Sequence, residues 1–160
     1  MEKVVKMVMV TGVNNNKYYN MAQVGDTINV EYGRVGQSST KVFYPLSKWN
    51  SLYNSKIKKG YKDVTEFSIV EDSKNFLDIS DTDISRIVKR LQAYADKTIR
   101  TNYTVSSNSV TQKQVDRAQE IINDLLSLKG KKDLFNKSLL ELYTVIPRKM
   151  SNVSLYLVKE

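Results

Sequence analysis

Apolar and polar positions divide the chain into a strand-patterned first part and a helix-patterned second part. Val4 to Val13 is a β-branched apolar run broken by Lys6, which predicts a first strand. Asn14-Asn15-Asn16 interrupts it. Two further runs rich in Val, Ile, Tyr and Thr, Lys17–Val24 and Thr27–Val35, flank Gly25-Asp26. That pair predicts a tight hairpin, because Gly supplies the positive φ such turns need. Gly36-Gln37-Ser38-Ser39 makes a second turn, and Thr40–Tyr44 is a strand stopped by Pro45. A helix is predicted over Leu46–Lys58, with Ser47 as N-cap and Trp49, Leu52, Tyr53 and Ile57 near helical spacing. This spacing reads Trp49 as core. Gly60 fits the position just past the helix end, after Lys58 and Lys59.

From Asp63 to Asp78 the pattern loosens into a connector. Ser80 then reads as the N-cap of an amphipathic helix carrying Ile84, Ile87, Val88, Leu91, Tyr94 and Ala95 at steps of three and four. Thr104–Asn108 is a polar loop. Thr111-Gln112-Lys113-Gln114 is a capping-box sequence, opening a helix with Val115, Ala118, Ile122, Leu125 and Leu126 on one face. Gly130 stops it, and a last helix carries Leu134, Phe135, Leu139 and Leu142 before Pro147. The expected fold class is α+β: a small antiparallel sheet with one packed helix, followed by a mostly helical subdomain. The expected division is 1–65, a connector over 66–78, and 79–160.

Composition narrows the chemistry. The 160 residues are 41% apolar, contain no cysteine and no histidine, and carry a net charge of +8. Disulfides, thiolate zinc sites, histidine metal sites and Ser/His or Cys/His nucleophile systems are excluded. No apolar run approaches the roughly 18 residues a membrane span needs, and nothing resembles a signal peptide, so the expectation is an intracellular protein of cytoplasm or nucleus without a membrane partner. Residues 1–64 hold ten Lys/Arg against four Asp/Glu, and residues 65–160 hold fifteen against thirteen. The basic first part points to an acidic partner, most simply nucleic-acid phosphate. Lys3, Lys6, Lys48, Lys56, Lys58 and Lys59 need not share a face with the hairpin.

Candidate catalytic and metal motifs fail on spacing. Asp78, Asp81 and Asp83 lack the Gly and Glu of a calcium loop, and capping explains the last two. Gly33 to Lys41 lacks the spacing and the Gly-Lys-Ser/Thr ending of a phosphate loop. No catalytic constellation and no cofactor are expected. Tyr32-Gly33-Arg34 is the richest cluster, since Tyr can stack on a base or sugar and Arg can fork onto phosphate. Strict alternation puts Tyr32 with Ile28, Val30 and Arg34 on one face. Tyr32 is then core, unless Gly33 is a bulge that turns it outward.

NNNKYY at 14–19, EYGRVG at 31–36 and the helix leading to KKGYKD at 58–63 together resemble a WGR domain, the module of DNA-dependent poly(ADP-ribose) polymerases and of bacterial proteins. VTQKQVDRAQEIINDLLSL at 110–128 and LLELYTVIPRKM at 139–150 are similar to the helical regulatory domain that follows it there. Tyr32 stands where the family has its name-giving Trp and offers less π surface. The resemblance implies DNA-break binding. An aromatic packs at the DNA terminus, and Arg and Asn-Lys hold backbone and 5′ phosphate. Carried over by position, these are Asn16, Lys17, Tyr32 and Arg34, with Gly33 for backbone shape and Tyr61 as an additional candidate. It also implies a partner, an ADP-ribosyltransferase domain in cis or in trans, with Arg34 near the interface to the regulatory helices. The family's catalytic His-Tyr-Glu set cannot be built without His, so this chain is expected to be no enzyme. It would be either the first piece of a longer protein or a stand-alone relative. The alternative is a protein-interaction module with only non-specific DNA or RNA binding.

Overall fold

A computed structural model of the protein describes residues 3–68, 79–103 and 110–159. Most of the expected connector (69–78) and the Thr104–Asn108 loop lie outside them. The fold is α+β. Five strands, β1 (Val4–Thr11), β2 (Asn15–Val24), β3 (Thr27–Arg34), β4 (Ser39–Pro45) and β5 (Lys62–Asp63), form an antiparallel sheet in the order β4-β3-β2-β1-β5. The β2–β3 turn is Gly25-Asp26, with Gly25 at φ 56°. Alternation along the strands gives the sheet two working faces.

One face is covered by α1 (Trp49–Lys58). Met7, Tyr19, Met21, Ile28 and Val30 are buried there, with Trp49, Leu52 and Tyr53 of the helix and Tyr61 packed against them. Burying a side chain of this size contributes about 1.5–3 kcal/mol, so this face holds the sheet together. Ser47 is not the N-cap of α1. The chain passes from Pro45 through a 3-10 turn (Leu46–Lys48), and Lys48, itself helical at φ −83°, ψ −4°, precedes the helix without a side-chain cap. A capping side chain needs an extended backbone to aim at the free amides, and Ser47 lies inside the turn. The two-residue β5 was not expected, because two polar residues carry no strand periodicity.

The other face meets a helical layer of α3 (Gln112–Ser127) and α4 (Lys132–Val145), with a 3-10 turn at Thr65–Ser68 between. Its core is Ile121, Leu125 and Val145, packed with Phe67, Phe135, Leu139 and Leu142. The capping box at Thr111 forms as expected: Gln114 N donates to Thr111 Oγ1 (3.2 Å) and Thr111 N to Gln114 Oε1 (3.1 Å). The inward face of α3 is rotated from the expected one. Gln114, Ala118, Ile121 and Leu125 are buried, while Val115, Ile122 and Leu126 are exposed. Gln114 marks the buried side. Besides closing the box it donates Nε2 to Val145 O at 3.0 Å, which ties that side of α3 to the end of α4.

The remaining helix, α2 (Thr82–Asn102), is capped by Asp81 rather than Ser80. Asp81 is the residue with the extended backbone (φ −73°, ψ 118°), and its carboxylate accepts from Asp83 N and Ile84 N. No residue of α2 is buried, and no helix among the described residues is long and apolar enough to cross a membrane.

The rotation of α3 gives a direct test. Ile121→Ala should cost about 2–4 kcal/mol in urea unfolding, whereas Ile122→Ala, one residue on, should cost about 0.5 kcal/mol or less. Equal losses at the two positions would contradict this packing.

Candidate nucleic-acid interface

β2 and β3 carry all the hairpin candidates, and their register sorts them by face. Lys17 pairs with Arg34, Tyr18 with Gly33 and Tyr19 with Tyr32, without a bulge. Tyr32 therefore stays on the α1 face, where alternation puts it. It is nonetheless 37% exposed, because it sits at the rim of what α1 covers. Its ring stacks on that of buried Tyr19, with centroids 5.9 Å apart and planes at 29°. Tyr61 meets Tyr19 edge-on at 6.3 Å. Three tyrosines thus form one open-sided box.

Lys56, from the last turns of α1, fills it. Its Nζ lies 4.0 Å from the Tyr19 ring centroid, 5.5 Å from Tyr61 and 6.0 Å from Tyr32. Cation–π attraction acts within about 6 Å, so Tyr19 supplies most of it and Tyr32 lies at its limit. Burial, and then the nearby charges of Lys59 and Lys17, hold the Lys56 ammonium below the ordinary lysine pKa. Burial foremost, with Tyr44, Tyr32 and Tyr61 adding to it, pushes the Tyr19 phenol up to about 12. The Tyr19 wall of the box is therefore neutral, with the Lys56 ammonium against it and Lys17 and Lys59 close by. Lys56 belongs to the face of the hairpin after all. Its position was available from spacing, since Trp49, Leu52, Tyr53 and Lys56 follow at i, i+3, i+4 and i+7 on one helical stripe.

Arg34 and Asn16 are engaged elsewhere. The Arg34 guanidinium donates from Nη2 to Asn14 Oδ1 (2.8 Å), Met150 O (3.0 Å) and Ser151 O (2.8 Å), and from Nη1 to Asn14 O (3.1 Å). Asn14 holds φ 67°, a left-handed conformation that Asn tolerates, and its Oδ1 also accepts from Val153 N at 3.1 Å. Asn16 points to the opposite sheet face, fully buried, and donates Nδ2 to Arg148 O at 2.9 Å. The segment Arg148–Val153 is thus bound to the hairpin by Arg34, Asn14 and Asn16. Beyond it, Lys149 donates its backbone N to Asn102 O and its Nζ to Arg100 O, closing the end of α2. Arg148 lies over the rings of Tyr156 (4.9 Å) and Tyr103 (5.6 Å).

This junction is not perfectly satisfied. Asn16 Oδ1 and Arg148 Nε are buried without a hydrogen-bond partner among the described residues. Such groups cost about 1–3 kcal/mol each. Gly33 makes room: a Cβ there would stand 3.0 Å from Ser38 O. At Gly36 (φ 83°) a Cβ would stand 2.6 Å from Lys149 Cγ, so its bareness lets the Arg148–Val153 segment approach. A cleft of about 400 Å³ between Lys6, Tyr18 and Glu31 of the sheet and Phe67 and Gln114 lies on the helical-layer side, away from the tyrosine box.

The arrangement therefore splits the six sequence candidates. Lys17, Tyr32 and Tyr61 gather with Lys56 on one exposed rim, Gly33 gives backbone clearance, and Asn16 and Arg34 bind the chain's own C-terminal segment. Arg34→Ala should destabilise the fold by about 1–3 kcal/mol in urea unfolding, because it strands the carbonyl of buried Met150 and removes the bonds to Asn14 and Ser151. Arg34→Lys should recover only a minor part, since an ammonium cannot reproduce the planar fork. Full recovery by Lys would show that charge alone matters.

No protein-family model matches the chain. Over 156 residues it is 41% identical to the uncharacterized protein 101L of Invertebrate iridescent virus 6, a match that covers 96% of this chain and 67% of that protein.

Proposed function

The chain belongs to the family of the iridescent-virus protein 101L, and from that premise we propose that it is a non-catalytic, WGR-type DNA-binding module. It recognises DNA ends or nicks with a 5′ phosphate and relays binding through its helices to an ADP-ribosyltransferase, in cis or in trans. The observation that carries this reading is the half-exposed Tyr32 ring, stacked on Tyr19 and bordered by Lys56 and Lys17. An aromatic surface of this kind takes the unpaired face of a terminal base or its sugar, and the ammonium groups take phosphate.

Arg34 supplies the relay. It belongs to the same strand as Tyr32, two residues on, and its hydrogen bonds end on Met150 and Ser151. A phosphate that competes for the guanidinium would release those carbonyls, and the two orphaned polar atoms at the junction lower the cost of opening it. The same engagement favours the second reading. If Arg34 and Asn16 never leave the C-terminal segment, only the lysines and tyrosines remain, and the protein is an interaction module with non-specific nucleic-acid affinity.

Fluorescence anisotropy separates the two. A nicked duplex with a 5′ phosphate should bind at least about tenfold (~1.4 kcal/mol) more tightly than a closed duplex. Tyr32→Ala should remove about 1–3 kcal/mol of that binding. Affinity should fall steeply with salt in either reading, because phosphate contacts release counterions. Identical affinity for all duplexes would leave only the second reading.

The lowered Lys56 pKa adds a pH signature. Its charge, and the attraction it gives to phosphate, is present below its folded-state pKa and lost as pH rises through it. Affinity should therefore begin to drop at a lower pH than ordinary lysines would give. Lys56→Arg, which stays charged, should abolish the early drop, measured by anisotropy across an alkaline series. An unchanged profile in Lys56→Arg would remove Lys56 from the interface.

A further inference from the structure

Among the described residues, nothing covers the apolar stripe of α2. Ile84, Ile87, Leu91 and Tyr94 are 54%, 58%, 63% and 75% exposed, and the helix holds no buried residue over 21 positions. Helices in proteins owe most of their stability to packing of such a face, so a bare stripe of four large side chains calls for a cover. Near its C-terminal end α2 is tied down by Arg148 and Lys149, which hold Asn102 and Arg100.

The spacing says what kind of cover. The large exposed positions 84, 87, 91 and 94 follow the alternating three- and four-residue steps of a helix-pairing seam, flanked on one side by half-buried Val88 and by Ala95. Seam helices pair with helices. The basic residues Arg86, Lys89 and Arg100 lie on the far side of α2 from the stripe, where a paired helix would not meet them.

We propose that α2 pairs antiparallel with α2 of a second copy of this chain, in a two-fold symmetric contact. Ile84 then layers against Tyr94 of the other copy and Ile87 against Leu91, and the same two layers repeat by symmetry. Charge complementarity selects this orientation. With those layers set, the flanking position Asp83 faces Lys97 of the other copy, and the symmetry gives this pair twice. A two-fold contact requires such self-complementarity, each residue meeting a partner that meets it in return. Among the described residues Asp83 pairs with Arg86, both side chains nearly four-fifths exposed, so exchanging that pair loses little. Arg90 meets its own symmetry mate next to the axis. That one like-charged pair, with a net charge of +8 on each chain, keeps the association reversible and weak at low salt.

The chain contains no cysteine, so single cysteines read the geometry directly. Arg90→Cys places a thiol beside the axis. Lys89→Cys places one at the same height on the far face. With a short bis-maleimide linker, the Arg90→Cys protein should couple into dimers about a hundredfold faster than the Lys89→Cys protein at micromolar concentration, as expected when an encounter becomes intramolecular. Sedimentation equilibrium of the full chain should show reversible association above the 18.4 kDa monomer. Leu91→Glu, at an exposed position that leaves folding intact by circular dichroism, should abolish it. Equal coupling of the two cysteine variants, or a monomer at every concentration, overturns the proposal. Binding to phosphatidylserine vesicles that Leu91→Glu abolishes, in a chain that stays monomeric, would assign the stripe to a lipid surface instead.

Discussion

The Arg34 guanidinium is the densest polar link between the two halves of this protein. One planar group at the end of β3 donates to Asn14 and to the backbone carbonyls of Met150 and Ser151. Guanidinium suits this role because its donors diverge in a fixed plane and it never loses its charge. The constraint propagates outward. Asn14 must adopt a left-handed backbone so that its carbonyl and Oδ1 both face the arginine, and Gly36 must lack a side chain so that Lys149 can lie close. The same Asn14 Oδ1 then accepts from Val153, whose buried side chain anchors the last turn.

The sheet thus has a division of labour written in its alternation. Odd positions of β1 and β2 with even positions of β3 face α1 and end in the tyrosine–lysine rim. The alternate positions face the helical layer and end at Asn16 and its bond to Arg148. Arg34 lies on the first face and binds the segment that belongs to the second. A ligand at the rim therefore sits close to the contact that holds the layers together, and in the proposed function that proximity is the means of relay. The buried Asn16 Oδ1 and Arg148 Nε without partners keep the closed junction from being deeply stable.

Local chemistry was the readable part of the sequence. The Gly25-Asp26 hairpin, the Thr111 capping box, Gly60 and Gly130 after their helices, and Trp49 in the core follow from signals within a few residues. What escaped depended on partners far along the chain. The inward face of α3 was displaced because its apolar arc is wider than the buried one, and Gln114, bonded to Val145, marks the buried edge. Ser80 and Asp81 are both competent caps, and only the backbone conformation decides between them. Arg34 was nominated for phosphate, and the resemblance also put it near the helical interface, but its bonds to Met150 and Ser151, more than a hundred residues away, had no local signal. Lys56 was the avoidable omission, since it shares a helical stripe with three core residues.

The central claim is that the tyrosine–lysine rim, proposed to face DNA, and the Arg34 junction are one coupled device. Amide hydrogen exchange at Lys149 and Val153, with and without a saturating 5′-phosphorylated nicked duplex, tests it most directly. Both amides donate inside the junction, to Asn102 O and to Asn14 Oδ1. Coupling predicts that DNA accelerates exchange at both while the sheet-core amides of Met21 and Val30 stay protected. Unchanged exchange at Lys149 and Val153 under full occupancy would contradict the coupling and leave the junction as a purely structural seam.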